Sequence, residues 1–208
     1  MTTQPSSAAI FWQPGHIDRR MRERLTRQKA LTLWLTGLSA SGKSTTAYAL
    51  EQQLIQARQL CYVLDGDNLR HGINRNLGFT HEDRTENIRR TAEIARLMND
   101  AGLIVIASLI SPLIEDRAMA KAIIGEDNFV EIYLSTPIEV CESRDPKHLY
   151  RKARQGLIPH FTGISAPYEA PPAADISVST LDTSPLEAAQ RILATVGRRM
   201  QALPQQGD

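Results

Sequence analysis

Leu31-Thr32-Leu33-Trp34-Leu35-Thr36-Gly37-Leu38-Ser39-Ala40-Ser41-Gly42-Lys43-Ser44 is the stretch that decides the fold. Its first six residues mix apolar, aromatic and β-branched side chains and stop at a glycine, the composition of a buried strand. The next eight spell Gly-x-x-x-x-Gly-Lys-Ser, after which Ala47, Leu50, Leu54 and Ala57 recur at helical intervals. A strand, a glycine-rich turn and a helix in that order form the setting a phosphate loop requires. Backbone N–H groups of the turn and of the helix N-terminus converge on phosphate oxygens. Lys43 adds a point charge for the β- and γ-phosphates, and the Ser44 hydroxyl can ligate Mg²⁺. Gly37, Ser39, Ala40, Ser41, Gly42, Lys43 and Ser44 are therefore the candidate triphosphate contacts; a chance glycine-rich turn is the plainer alternative.

The strand–helix alternation continues outward. Upstream, Asp18 is placed to cap a charged helix beginning at Arg19, and residues 1–16 look loose and flexible. Downstream, Cys61–Leu64 reads as a strand ending at Asp65, and Arg84–Ala101 as a helix closed by Gly102. Leu103–Ala107 is continuously apolar, as expected of a strand covered on both faces. A helix after Pro112, strands at Phe129–Leu134 and Ile176–Val178, and a helix over Leu186–Met200 complete the order. Such alternation implies right-handed crossovers, hence a three-layer α/β fold of the P-loop type with a mostly parallel sheet flanked by helices. One domain is expected over 17–201, with a lid over about 145–172 and a tail over 202–208. Gln155–Ala174, which overlaps the lid, is irregular and holds four prolines.

Composition removes several classes of function. The 208 residues are 42% hydrophobic and 23% charged, a globular balance, and 24 Lys plus Arg against 23 Asp plus Glu leave a net charge of +1. That balance gives no global reason for a nucleic-acid partner. No apolar run reaches membrane-spanning length, and Met1–Ala9 lacks the basic-then-apolar pattern of a secretory leader, so a soluble cytoplasmic protein without membrane contact is expected. Cys61 and Cys141 lack metal-ligand spacing and read as free thiols in a reducing compartment.

The remaining motifs distinguish a kinase from a nucleotide switch. The most apolar strand ends Ile106-Ala107-Ser108 without the Mg²⁺-holding acid usual in switches and motors. Carboxylates stand instead at Asp65 and Asp67, after the second strand, where strand ends converge on a ligand crevice. Asp65 is thereby placed to orient an acceptor hydroxyl or a Mg²⁺-bound water, although Asp-Gly-Asp-Asn also suits a tight turn. Arg70, Arg84 and the pair Arg89-Arg90 offer the bidentate donors that a phosphate- or sulfate-bearing acceptor needs; a solvated helix face accounts for any one of them equally well. Arg84 and Asn87 share a helix face. Lys147, Arg151, Lys152 and Arg154 suit a lid closing over triphosphate, or an exposed charged helix. Phe79 and Phe161 lie in loops beside Gly78 and Gly163, where aromatic rings can stack a purine or anchor the loop by packing.

Taken in order, these segments resemble the adenylylsulfate kinase (APS kinase) family over nearly the whole chain. The shared segments are Trp12-x-Pro14-Gly15-His16, the phosphate loop, Leu64 to Gly72, Leu77-Gly78-Phe79, Asp83 to Arg90, Ile110-Ser111-Pro112, Arg144-Asp145-Pro146-Lys147 and Phe161 to Ile164. The resemblance implies transfer of the γ-phosphate of MgATP to the 3′-hydroxyl of adenosine 5′-phosphosulfate (APS), giving 3′-phosphoadenosine 5′-phosphosulfate (PAPS), with Mg²⁺ as cofactor and a homodimeric assembly. It implies that Arg70, Arg84 and Asn87 bind APS, that Phe79 and Phe161 sandwich its adenine, and that Ile110 and Ser111 line its site. Lys147 then belongs to the lid; Asp67, Lys147 and Thr162 join the acceptor contacts, and Thr45 and Arg144 the ATP contacts. Lys43, Asp65 and Ser111 are the candidate catalytic residues. Ser111 is expected to hydrogen-bond substrate during direct transfer. Ala40 stands where the family commonly has glycine, which requires φ below zero. A silent APS- or PAPS-binding module and another small-molecule P-loop kinase remain the alternatives.

Overall fold

The structure is a computed structural model describing Phe11 and residues 13–201. Trp12, most of the loose segment expected over 1–16, and the tail expected over 202–208 lie outside the described residues. Five strands form one parallel sheet: β1 (Thr32–Thr36), β2 (Cys61–Asp65), β3 (Ile104–Ser108), β4 (Phe129–Leu134) and β5 (Ile176–Val178), in the order β2-β3-β1-β4-β5. Every residue of β1 and β3 is buried, as their unbroken apolar runs require. Eight helices surround the sheet: α1 (Arg19–Thr26), α2 (Lys43–Gln56), α3 (Gly66–His71), α4 (His81–Asp100), α5 (Ile114–Ile124), α6 (Ile138–Arg144), α7 (Leu149–Arg154) and α8 (Pro185–Met200). Among the described residues no helix is long and apolar enough to cross a membrane.

Alternation along β1 splits the core into two. Leu31, Leu33 and Leu35 face Leu50 and Leu54 of α2 and Ala189, Ile192 and Val196 of α8. Trp34 faces the other way, among Ile88 and Ala92 of α4 and Ala120 and Ile124 of α5, with the Phe129 ring 5.7 Å from its own. The helices cap as their sequences suggest. Asp18 accepts from the Met21 amide, and Ser184 and Glu187 form a reciprocal capping box ahead of α8, with Pro185 in its first turn. The Asp-Gly-Asp-Asn run is more than a turn: Asp65 caps the short α3, its side chain accepting from the Asp67 and Asn68 amides.

Register puts the chemistry on one rim. Asp65 pairs with Ser108, Ser108 with Leu35, and Thr36 with Tyr133, so β1 to β4 end nearly level. Crossovers lead to both sides of β1, to β2 and β3 on one and to β4 and β5 on the other, and a parallel sheet opens its ligand crevice at such a point. The segments after the strands therefore meet there.

The helix leaving the phosphate loop ends under strain. Arg58 lies beyond α2 at φ 59°, its amide on the Ile55 carbonyl and the Gln59 amide on the Leu54 carbonyl, a closure that favours glycine at the left-handed position. Arg58 is exposed and forms no side-chain bond among the described residues. Arg58→Gly is expected to stabilise the protein by about 0.5–1 kcal/mol. Guanidinium chloride unfolding would register this as a higher midpoint at unchanged slope.

Candidate active site

The carbonyls of the phosphate loop find donors within the protein. The Leu38 carbonyl accepts from Lys43 Nζ at 2.6 Å and from the Ser41 amide at 3.2 Å, and the Ser39 carbonyl accepts from the Tyr150 hydroxyl at 3.0 Å. Gly37 allows close packing against the neighbouring strand end, since a Cβ there would fall 2.8 Å from the Leu134 carbonyl oxygen. Ala40 corrects the expectation placed on it. Its φ is +60°, in the left-handed region, at a cost of about 1–2 kcal/mol. Its methyl packs against the cluster of Cys141, Tyr150, Ala153 and Phe161, an apolar contact that a glycine would forgo.

Lys43 is buried, and removal from water pulls its ammonium down to about 8, although Asp65 and Asp67 act in the opposite direction. Asp65, itself buried, divides its carboxylate between two tasks. Oδ1 caps α3, while Oδ2 accepts from Ser44 Oγ at 2.7 Å. These two adjacent oxygen donors beside the lysine suit a hard divalent cation carried in by a triphosphate.

A single cavity of ≈ 860 Å³ gathers nearly every residue anticipated from sequence. Ser39, Ala40, Gly42, Lys43, Ser44, Thr45 and Arg144 line one part of it. Asp65 and Asp67 lie between these and Arg70, Phe79, Arg84, Asn87, Ile110 and Ser111, with Lys147, Phe161 and Thr162 contributed by the lid segment. Gly37 and Ser41 do not line it; they shape the loop from behind.

Two guanidinium groups meet on one ring. Arg70 lies 4.4 Å and Arg84 5.7 Å from the centroid of Phe79, which is 60% exposed. Arg70 donates to the Leu77 and Gly78 carbonyls, and Arg84 to the carbonyls of Phe79 and His160. Burial depresses both guanidinium pKa values, and for Arg84 the charge of Arg70 adds to the effect. Like charges held this close create a local demand for an anion. Phe161 takes the packing alternative: it is 8% exposed and meets Tyr150 edge-on at 5.0 Å, while still contributing to the cavity lining. Arg89 and Arg90 turn elsewhere, both onto Glu86, whose carboxyl they hold down near about 2. Of the second basic cluster only Lys147 reaches the cavity, paired with Asp67, while Arg154 pairs with Glu142 outside it.

Ser111 sits at the far wall, 2% exposed and at φ 37°. The indole N–H of Trp34 donates to its Oγ at 3.2 Å, leaving the serine proton for another acceptor. Arg117 holds this turn in place. It pairs with Glu131 at 2.7 Å and donates to the Ser111 and Glu169 carbonyls, each at 2.8 Å. Sequence reasoning missed Arg117, Thr136, Tyr150 and Thr180, whose roles come from pairings across the fold and leave no local motif.

The adenylylsulphate kinase family model matches residues 29–179. The chain belongs to this family. It is 56% identical to the adenylyl-sulfate kinase of Clostridium acetobutylicum over 174 residues, 84% of this chain and 86% of that protein. It is 50% identical to the chloroplastic adenylyl-sulfate kinase 1 of Arabidopsis thaliana over 93% of this chain and 70% of that one. Its fold superposes on the Mycobacterium tuberculosis APS kinase CysC in complex with AMPPNP and APS, with a TM-score of 0.79 and 46% identity, covering 81% of this chain and 98% of that one. The three-layer parallel fold expected from sequence thus holds, with all five strands parallel.

The depressed pKa of Lys43 predicts how this family member responds to pH. Lys43 keeps its ammonium below pH about 8 and loses it above, while a bound phosphate would raise the pKa again. ATP affinity measured by calorimetry is expected to fall roughly tenfold between pH 7.5 and 9.5, with proton uptake on binding. Lys43→Met should bind weakly throughout and remove that slope.

Proposed function

We infer that this chain is an adenylyl-sulfate kinase: it moves the γ-phosphate of ATP to the ribose 3′-hydroxyl of APS, releasing ADP and PAPS. The observation that carries this reading is the shared cavity, in which a phosphate loop and a twin-arginine aromatic pocket face each other across Asp65. In the transfer the bond from the acceptor O3′ to the γ-phosphorus forms as the β,γ-bridging bond breaks. The phosphate loop and Lys43 hold the β- and γ-phosphates and meet the charge that shifts onto the leaving diphosphate. Mg²⁺, when bound, neutralises phosphate oxygens, and Ser44 with Asp65 through water would hold it. Thr45 and Arg144 bind the rest of ATP, and Asp65 orients the acceptor hydroxyl and takes its proton.

On the acceptor side, Arg70 and Arg84 receive the phosphosulfate, Phe79 and Phe161 flank the adenine, and Asn87, Ile110, Asp67, Lys147 and Thr162 complete the pocket. Ser111 donates to substrate without becoming phosphorylated, because an in-line displacement needs positioning and charge neutralisation rather than a covalent stop. We further propose a homodimer in the cytoplasm, the latter supported by two cysteines that are both free.

An ADP-release assay supplied with APS should show turnover, whereas gluconate or a nucleoside monophosphate in its place should not. Lys43→Ala is expected to lower kcat by about 10²–10³. Arg84→Ala should raise KM for APS about tenfold or more and leave KM for ATP within about twofold; equal losses on both substrates would refute its assignment. Ser111→Ala should keep substantial turnover, and a trapped phosphoserine in the parent enzyme would overturn direct transfer.

A further inference from the structure

We propose that Thr136 and Thr180 are positioning residues that set the direction of the Ser41–Gly42 peptide in the phosphate loop, and so decide which end of that dipole faces the triphosphate. The proposal uses the kinase reading only for the identity of the nucleotide.

The two threonines are brought together by the sheet. Thr136 follows β4 and Thr180 follows β5, and the parallel register that pairs Leu134 with Val178 carries on to place them side by side. Their hydroxyl oxygens are 2.8 Å apart, and the Thr180 amide donates to Thr136 Oγ1 at 3.2 Å. Both are buried, at 3% and 8% exposure, and both oxygens lie near one carbonyl, Thr180 Oγ1 at 2.9 Å and Thr136 Oγ1 at 3.2 Å from Ser41 O; with one proton each, Thr180 donates to Ser41 O and Thr136 donates to Thr180 Oγ1. Arg144 Nη1 donates to Thr180 Oγ1 at 2.8 Å, so the threonine's own proton must point away from Arg144.

The consequence for the loop follows from peptide geometry. In a trans peptide the C=O and the following N–H point in opposite directions, and no peptide among the described residues is cis. With the Ser41 carbonyl bound to the Thr180 hydroxyl, which Thr136 and Arg144 orient, the Gly42 N–H is directed away from that hydroxyl, and Gly42 and Lys43 line the cavity. Reversing this peptide would present a carbonyl oxygen to phosphate oxygens and leave the Thr180 proton, at the end of the Thr136–Thr180 relay, without its acceptor. Thr180 also restricts residue 42 sterically. A Cβ on Gly42 would lie 3.1 Å from Thr180 Cγ2, and φ there is +95°. The second glycine of the motif therefore satisfies both the turn and the side chain that clamps it.

Thr136 gives the sharper test, because it sits behind the loop and does not line the triphosphate cavity. Calorimetry on the full chain would measure MgATP and APS separately for the parent and for Thr136→Val, Thr136→Ser, Thr180→Val and Thr180→Ser. Each valine variant is expected to bind MgATP about tenfold more weakly, with APS affinity within about twofold, and each serine variant should return close to the parent. Parent-like MgATP binding in Thr136→Val would overturn the proposal. So would a serine variant as weak as its valine counterpart, since that assigns the effect to packing. Parallel losses of MgATP and APS affinity, or failure of both valine variants to fold, would make the threonines structural and equally end it. A parent chain that binds MgATP with this pattern yet turns over no APS would sink the acceptor assignment while leaving the threonine clamp standing.

Discussion

A loop that turns its N–H groups toward a ligand must turn its carbonyls into the protein, and each of those needs a donor. This constraint organises the molecule. Two donors come from distant parts of the chain, Tyr150 of α7 for Ser39 and Thr180 after β5 for Ser41, and the loop's own Lys43 serves Leu38. A nucleotide that draws Lys43 onto its phosphates removes one of the two donors on the Leu38 carbonyl, and the Ser41 amide remains. The bond the lysine makes to Leu38 thus holds its ammonium at the loop, a form of preorganisation.

The acceptor half is built by a different principle. There the positive groups are not cradled by backbone but crowded around an aromatic ring, with Arg84 also tied to the lid through the His160 carbonyl. Lys147 reaches from the base of the lid to Asp67 on α3. The segment from Lys147 to His160 therefore touches the body at Asp67 and Arg84, side chains that also line the cavity. Arg117, buried against Glu131, fixes the other end of the same segment at Glu169 and with it the turn carrying Ser111.

How much of this was legible in the sequence depended on whether a residue acts locally or through strand pairing. The strand, phosphate loop and helix around Gly37 to Leu54 are a continuous pattern, and the structure reproduces them almost residue for residue. Asp65, Arg70, Phe79, Arg84 and Asn87 follow a strand end and a helix start, so their convergence could be inferred. Ala40 could not be read correctly, because its left-handed backbone is sustained by packing from α7 and the lid. Phe161 lies in a loop by sequence, yet Tyr150 draws it inward. Thr136 and Thr180 are 44 residues apart and carry no motif; only the β4–β5 register unites them.

The indole of Trp34 links the core to the far wall of the cavity. It is 0% exposed, packs beside Phe129, and its N–H ends on Ser111. Only two tryptophans occur in the chain. A ligand that bonded the Ser111 hydroxyl would alter the surroundings of an indole shut off from solvent, so the emission of Trp34 is a means of following that wall of the cavity.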